Sequence, residues 1–454
     1  MPILFKLSAL KTFISSYKYV FVVFPALFLF LFASELSFIS QNSLVLHKLC
    51  VSIYNQTLCE SDVFRNKSLE NEVESLSNSW NLWLNISFAI PSIISIFFLV
   101  SDADRKSSYK LFMLVSLSGF ILYSSMCAIA ATQEPNVCMY LLMTAQILNG
   151  IFGGGSLAFI TSCLGFVSIN DDKVNATNTR TDSKYSNRSV KYSILESSIL
   201  FGRLVASIIS GYILSNRANF MLYRDSFIIS LSIFAMLFIY MIIMFCSFKV
   251  TTVSSVVSVL NRNFNSSTDR LDISISGETD ENISVIAERK PKKKTNLIEK
   301  LFCVKDTWNV LMKRRERNIR FYFLMFLFIY FLTSVVTFGA GTIDYLFLTK
   351  IPISFNQTHY GLFRAMNTLL KGIALLIILP ILKNYFDVSD SVLFIIGLVS
   401  DIFNYIVFSF ASSIINIIWI APFAFMFANY YIVCLRSFIS KLIDKNDIGI
   451  RISI

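Results

Sequence analysis

The residues best placed to do chemistry are ionisable side chains lying inside long apolar runs: Glu35, Glu196, Arg203, Asp344, Arg364, Lys371 and Asp401. A charge at the centre of a membrane helix costs about 2.5–3.5 kcal/mol on insertion scales, so each is a candidate for proton loading, anion binding or pairing. Glu196 and Arg203 are two helical turns apart, on one face and about 10 Å from each other. A partly desolvated carboxyl at Glu196 can load a proton near neutral pH. The other reading puts Glu196 near a cytoplasmic helix end, paired with Arg188 or Lys191. Asp344 is placed to face Arg364 across neighbouring runs, with Lys371 two turns further along the same stripe. That pair reads either as an outer gate that breaks and forms or as a static tie between two helices. Glu35 and Asp401 have no evident partner. Asn149, Asn367, Asn404 and Asn429 are polar enough to line a cavity, although hydrogen bonds between helices are their commoner use.

Membrane helices must position these groups. Of the 454 residues, 55% are apolar and 15% charged, whereas a soluble domain carries about a quarter charged residues. An ordinary soluble enzyme is therefore excluded. A bilayer core of about 30 Å needs roughly 20 apolar residues in a helix, and ten runs qualify, at 19–39, 81–100, 111–131, 139–162, 193–214, 226–247, 319–347, 361–382, 391–410 and 414–434. The first is too long for a cleavable signal and lacks a small-residue cleavage site. With the N-terminus inside, 31 of the 40 Lys and Arg fall in inside segments and 6 in outside loops; without the long central loop the split is still 16 to 6. The positive excess marks the cytoplasmic side, so both ends are expected in the cytoplasm. The net charge of +11 then records topology, and the partner it implies is the lipid bilayer rather than nucleic acid. The basic run Arg289–Lys294 is a solvated, topology-setting cluster on this reading.

Residues 40–79 read as a long polar outside loop. It carries Cys50 and Cys59, for which an oxidising exterior permits a disulfide, and glycosylation sequons at Asn55 and Asn66; a third outside sequon is at Asn356. Sequons also occur on the inside, at Asn175, Asn187, Asn265 and Asn282, so topology rests on charge. The other six cysteines show no metal-ligand spacing. No His/Asp/Ser constellation or phosphate-binding glycine loop appears, and no metal, cofactor or enzymatic activity is expected. Residues 249–318 are rich in Ser, Asn and charge and read as a largely disordered cytoplasmic linker, with a short amphipathic segment at Asn296–Trp308. The organisation is an N-terminal six-helix half (1–248), the linker (249–318) and a C-terminal half of four spans (319–454).

Six helices, a cytoplasmic link and a second set of helices is the pattern of a major facilitator, with its substrate site at the midplane between two halves. The loop Ser101-Asp102-Ala103-Asp104-Arg105-Lys106 resembles the major facilitator latch loop, with Asp102 and Arg105 in the latch positions; an ordinary charged turn reads equally well. Gly150-Ile-Phe-Gly-Gly-Gly155 in span four allows close helix packing. Three segments carry a closer resemblance: Ser189–Gly202, which contains Leu195-Glu196; Phe338-Gly-Ala-Gly-Thr-Ile343 with Tyr360-Gly361; and Leu435-Arg436-Ser-Phe-Ile-Ser-Lys-Leu442 with Asp447-Ile-Gly449. Together they resemble the proton-coupled folate transporter family, solute carrier family 46-like proteins of the major facilitator superfamily.

The resemblance implies an all-α integral membrane protein of the major facilitator fold. It also implies symport of an organic solute with protons, by alternating access, in the plasma or endolysosomal membrane. On that resemblance Glu196 matches a proton-coupling glutamate and Arg436 an arginine of substrate binding or coupling; Arg203, on the same face of span five as Glu196 by spacing, is a second candidate for substrate binding or coupling. Met366 falls near the place of the family's span-eight histidine, which argues against folate itself. A membrane receptor or regulator on the same scaffold, binding ligand without flux, is the alternative. Ten spans against an expected twelve predict a truncated gene model or splice product, with two further spans to be found by transcript sequencing.

Overall fold

In the computed structural model the described residues are 2–54, 67–105, 109–153, 155–176, 186–214, 221–268, 357–411 and 415–442, with Cys59 and short pieces of 321–355. Their secondary structure is helical. Span one is α1 (Pro2–Ile53), span two α2 (Lys67–Arg105) and span three α3 (Lys110–Ala131). Span four is α4 (Pro135–Ile151) with α5 (Ser156–Ala176); α6 (Ser186–Leu214) and α7 (Met221–Thr268) are spans five and six. Span eight is α8 (Gln357–Ile373), a π-helical turn (Ala374–Ile378) and α9 (Leu379–Asn384), followed by α10 (Asp390–Ala411) as span nine. Span ten comprises a 3-10 segment (Ile415–Ile420), α11 (Ala421–Ala424) and α12 (Tyr430–Leu442). Among the described residues, eight helical stretches are long and apolar enough to cross a bilayer, which makes the chain a multi-pass membrane protein. Span seven falls mainly outside the described residues, with helix at Leu324–Thr333, and span ten is divided into short pieces, so the count of ten is not reached.

Two boundaries differ from the sequence expectation. Leu44, Val45 and Leu49 are buried, so the apolar face of α1 continues and the helix runs to Ile53. The outside loop expected at 40–79 is thus helical at both ends, and the Cys50–Cys59 disulfide is formed at its start. Likewise α7 continues to Thr268, into the stretch read as disordered linker. Val253, Val256, Val257 and Leu260 fall at helical spacing there. Asn55, Asn66, Asn356 and residues 269–320 lie outside the described residues.

Span four is not one helix. Gly153 (φ 63°) and Gly155 (φ 109°) adopt left-handed backbone, which glycine enters without a Cβ penalty, and they separate α4 from α5. The carbonyls freed at the break must be satisfied where no water is available. Ser95 donates to the Ile151 carbonyl at 2.8 Å and Ser116 to that of Gly153 at 3.4 Å. The packing role expected of the cluster falls to Gly150: a Cβ there would stand 2.6 Å from the Phe88 carbonyl oxygen on α2.

The buried apolar clusters separate by position in the chain. One lies within α1–α7, where Phe30 stacks on Phe159 with centroids 4.1 Å apart. Two others are built mainly from the residues after 320. The seam between the two groups is the pair α6 and α8, which run antiparallel. At one end a Cβ on Gly361 would lie 3.4 Å from the Gly211 Cα; at the other, Ser193 donates to the Leu375 carbonyl at 3.1 Å.

Candidate functional site

The seam helices bring the intramembrane charges together at two levels. At the first, Glu35 of α1 accepts from Arg364 of α8, and Arg203 of α6 stands with its Nε 3.8 Å from the second Glu35 oxygen. One carboxylate therefore faces two guanidiniums, one from each group of helices. Arg364 also donates from Nη1 to the Tyr360 hydroxyl at 3.2 Å, a bond one helical turn long that orients the guanidinium independently of Glu35. The close packing that sets this level comes from Gly202, where a Cβ would meet the Phe28 carbonyl oxygen of α1 at 2.5 Å.

At the second level, two turns towards the start of α6, Glu196 forms an ion pair with Arg436 of α12. Of the alternative partners, the side chain of Arg188 lies outside the described residues. Both side chains are largely shielded, and a pair in such a place is retained only when each charge compensates the other.

The charges of Asp344 and Asp401 act on Lys371, and Asp344 also on Arg364. Arg364 is paired directly with Glu35, where the sequence led to Asp344. The expectation that Glu35 lacks a partner is corrected: its partners lie 168 and 329 residues away in sequence, beyond any spacing rule. Lys371 places its ammonium over the ring of Phe425, 3.3 Å from the centroid, a cation–π contact.

Phe425 opens the turns at 425–429 that interrupt span ten. Ser400 of α10 spans this interruption, donating to the Ala424 carbonyl at 2.5 Å and accepting from the Phe427 N–H at 3.2 Å. The π-helical turn of span eight lies alongside, and the Tyr430 hydroxyl donates to its Ala374 carbonyl at 2.9 Å. Helix α12, which carries Arg436, is thus a separate segment hung below these irregular turns.

Asp102 lies in α2, half-buried, whereas the side chain of its expected latch partner Arg105 lies outside the described residues. In the second group, Lys383 pairs with Asp390 at the link between spans eight and nine. Sequence reasoning passed over this pair, although a Lys and an Asp flanking one short link were there to be read. It also missed a buried hydrogen-bonded cluster in which Gln41 accepts from Tyr123 and from Gln146, the latter at 2.8 Å. Among the described residues no group of His, Cys, Asp and Glu has the arrangement of a metal site.

No family model matches the chain. It is similar to the lysosomal proton-coupled steroid conjugate and bile acid symporter SLC46A3 of Gallus gallus, 28% identical over 156 residues. The match covers 31% of this chain and 33% of the relative, so about a third of that protein's length is spanned. The solute carrier 46 resemblance read from the motifs is in line with this match. Among solved structures, the chain superposes on a POT family transporter in complex with a thioalcohol-conjugated peptide, with TM-score 0.45 and 12% identity, covering 95% of this chain and 87% of the other. A POT family transporter in complex with 5-aminolevulinic acid gives TM-score 0.43 and 11% identity over the same shares.

Proposed function

We propose that the chain is a secondary active transporter on a major facilitator scaffold, carrying an organic anion with protons by alternating access. The observation that carries this reading is the pair of charge contacts along α6: Arg203 with Glu35 and Arg364 at one level, Glu196 with Arg436 two turns away. Each level joins the two groups of helices, and each can break while the other holds, as alternating exposure of a central site requires. The relative's steroid conjugates and bile acids support an amphipathic organic anion as solute and an endolysosomal membrane as one location, with the N-terminus cytoplasmic by the positive-inside count.

On this reading Glu196 takes a proton, releases Arg436, and lets α12 move away from α6 to open the inner side. Arg436 then meets the anionic group of the solute. The test is accumulation of labelled organic anions by vesicles carrying the chain, at pH 5.5 and pH 7.4. Uptake driven by the proton gradient and made insensitive to pH by Glu196→Gln supports it. Uptake indifferent to pH, and unchanged by that substitution, overturns the proton role; saturable binding with no flux supports a receptor instead.

A further inference from the structure

Resting on the transport reading, we propose that Glu35 is a second proton-binding residue of the cycle and that Arg203 and Arg364 hold the solute's anionic group in exchange for it. Two guanidiniums share one carboxylate at this level. Arg364 is bonded to Glu35 and Tyr360, while Arg203, at 3.8 Å from Glu35, makes no side-chain hydrogen bond among the described residues. Its Nε is without an acceptor. The accessibility of the three side chains is ordered to match: Arg203 38% and Arg364 33%, against 10% for Glu35. Intramembrane charges face a bundle interior or a water-filled cavity, and on this proposal the accessible part of Arg203 faces such a cavity with Glu35 behind it.

Such a site fits a planar or tripodal oxyanion able to accept from a guanidinium fork. The chemical class is an organic anion with one terminal carboxylate, sulfonate or sulfate. Its oxygens accept from Arg203 and then from the donors that Arg364 gives to Glu35, while Tyr360 keeps Arg364 oriented. A carboxylate displaced from its guanidinium and left beside a second anion in a low-dielectric interior takes up a proton. The step balances with one proton from the medium: Glu35 gains an O–H bond, no other bond changes, and solute and proton together add no net charge.

The other charges bearing on this level are Lys371, Asp344 and Asp401 on spans seven to nine. Over 81–100, 111–131, 138–163 and 226–247, the apolar stretches of the further helices packed on α1, the titratable side chains are Tyr123, Cys127, Cys138, Tyr140, Cys163, Tyr240 and Cys246, and those groups are uncharged near neutral pH. Glu35 is the carboxyl bonded directly to the guanidinium that the anion takes over, which sets its protonation apart from that of Asp344.

The test uses the full chain purified into nanodiscs, with taurocholate and oestrone sulfate as anionic probes and oestradiol as a neutral one. The expected result is binding of the anions but not of oestradiol, with affinity rising about tenfold for each unit of falling pH, the slope for one proton taken up per anion. Glu35→Gln should bind the anions equally at pH 5.5 and 7.5, and Glu35→Asp should keep the slope. Arg203→Gln and Arg364→Gln should each weaken anion binding about a hundredfold. In liposomes Glu35→Gln should exchange labelled for unlabelled anion yet fail to accumulate it. A pH slope retained in Glu35→Gln, unchanged anion binding in both arginine variants, or no anion binding by the unsubstituted chain overturns the proposal. If the unsubstituted chain binds anion with the expected slope but moves none across a membrane, the transport reading fails and this site stands.

Discussion

Arg436 and Ser437 are consecutive on α12 yet tie it to different groups of helices: Arg436 pairs with Glu196 of α6, while Ser437 donates to Asp390 Oδ2 at 3.0 Å. The second oxygen of Asp390 is taken by Lys383. The foot of α12 is therefore fixed within its own group by one residue and against the other group by the next.

Asp390 is the centre of that fixing, and both its side chain and that of Lys383 are nearly inaccessible. Asp390→Asn removes the charge that compensates a buried ammonium, which costs about 3–5 kcal/mol. A marked fall in the thermal midpoint in detergent is expected, with at least half of it recovered by the double substitution Lys383→Met with Asp390→Leu. A double variant no better than the single would show that the pair is not what stabilises this corner.

Two glycines at the seam should respond differently to a methyl group. At Gly202 the added Cβ would lie 2.5 Å from the Phe28 carbonyl oxygen, whereas at Gly361 the nearest atom is the Ser207 carbonyl oxygen at 3.2 Å. Gly202→Ala must push α1 away from α6, at a cost of about 1–3 kcal/mol for overpacking, and must separate Glu35 from Arg203. Gly361→Ala needs only a few tenths of an ångström and should leave the melting temperature nearly unchanged. Thermal unfolding of the two single variants checks the contrast.

Charge and hydropathy made the helical class and the individual buried charges legible, because an ionisable residue in an apolar run is visible without a partner. The pairings were not legible: Glu35 finds Arg364 only after the two groups of helices close on α6. Helix breaks divided in the same way. Gly153 and Gly155 were conspicuous in the sequence yet read as packing, since spacing does not reveal a left-handed φ. The π-helical turn at Ala374–Ile378 carries no Gly or Pro at all. It is stabilised by hydroxyls from Ser193 and Tyr430 that arrive from other helices.

Those two hydroxyls can be removed at little volume cost. Tyr430→Phe leaves the Ala374 carbonyl unsatisfied in an apolar setting, and Ser193→Ala does the same for Leu375; each should destabilise by about 1–3 kcal/mol. If the π-helical turn depends on both, the double variant should lose less than the sum of the singles, because the segment relaxes to ordinary α-helix once either is gone. Strictly additive losses in thermal denaturation would count against a shared segment.

The ion pair between Glu196 and Arg436 offers the sharpest separation of structure from transport. Reversing one charge alone, as Glu196→Arg or Arg436→Glu, sets like charges against each other in a shielded place, at about 3–5 kcal/mol, and uptake should fall at least about a hundredfold. The double reversal restores attraction between α6 and α12 while moving the carboxyl from one helix to the other. If the pair serves only to close the inner side, the double variant should regain uptake at least about tenfold over either single variant, with its dependence on pH intact. If Glu196 must also present its proton from α6, closure should return without coupling: the double variant should exchange solute across a vesicle membrane yet not concentrate it. Counterflow and gradient-driven uptake, measured on the same vesicles, distinguish the two outcomes.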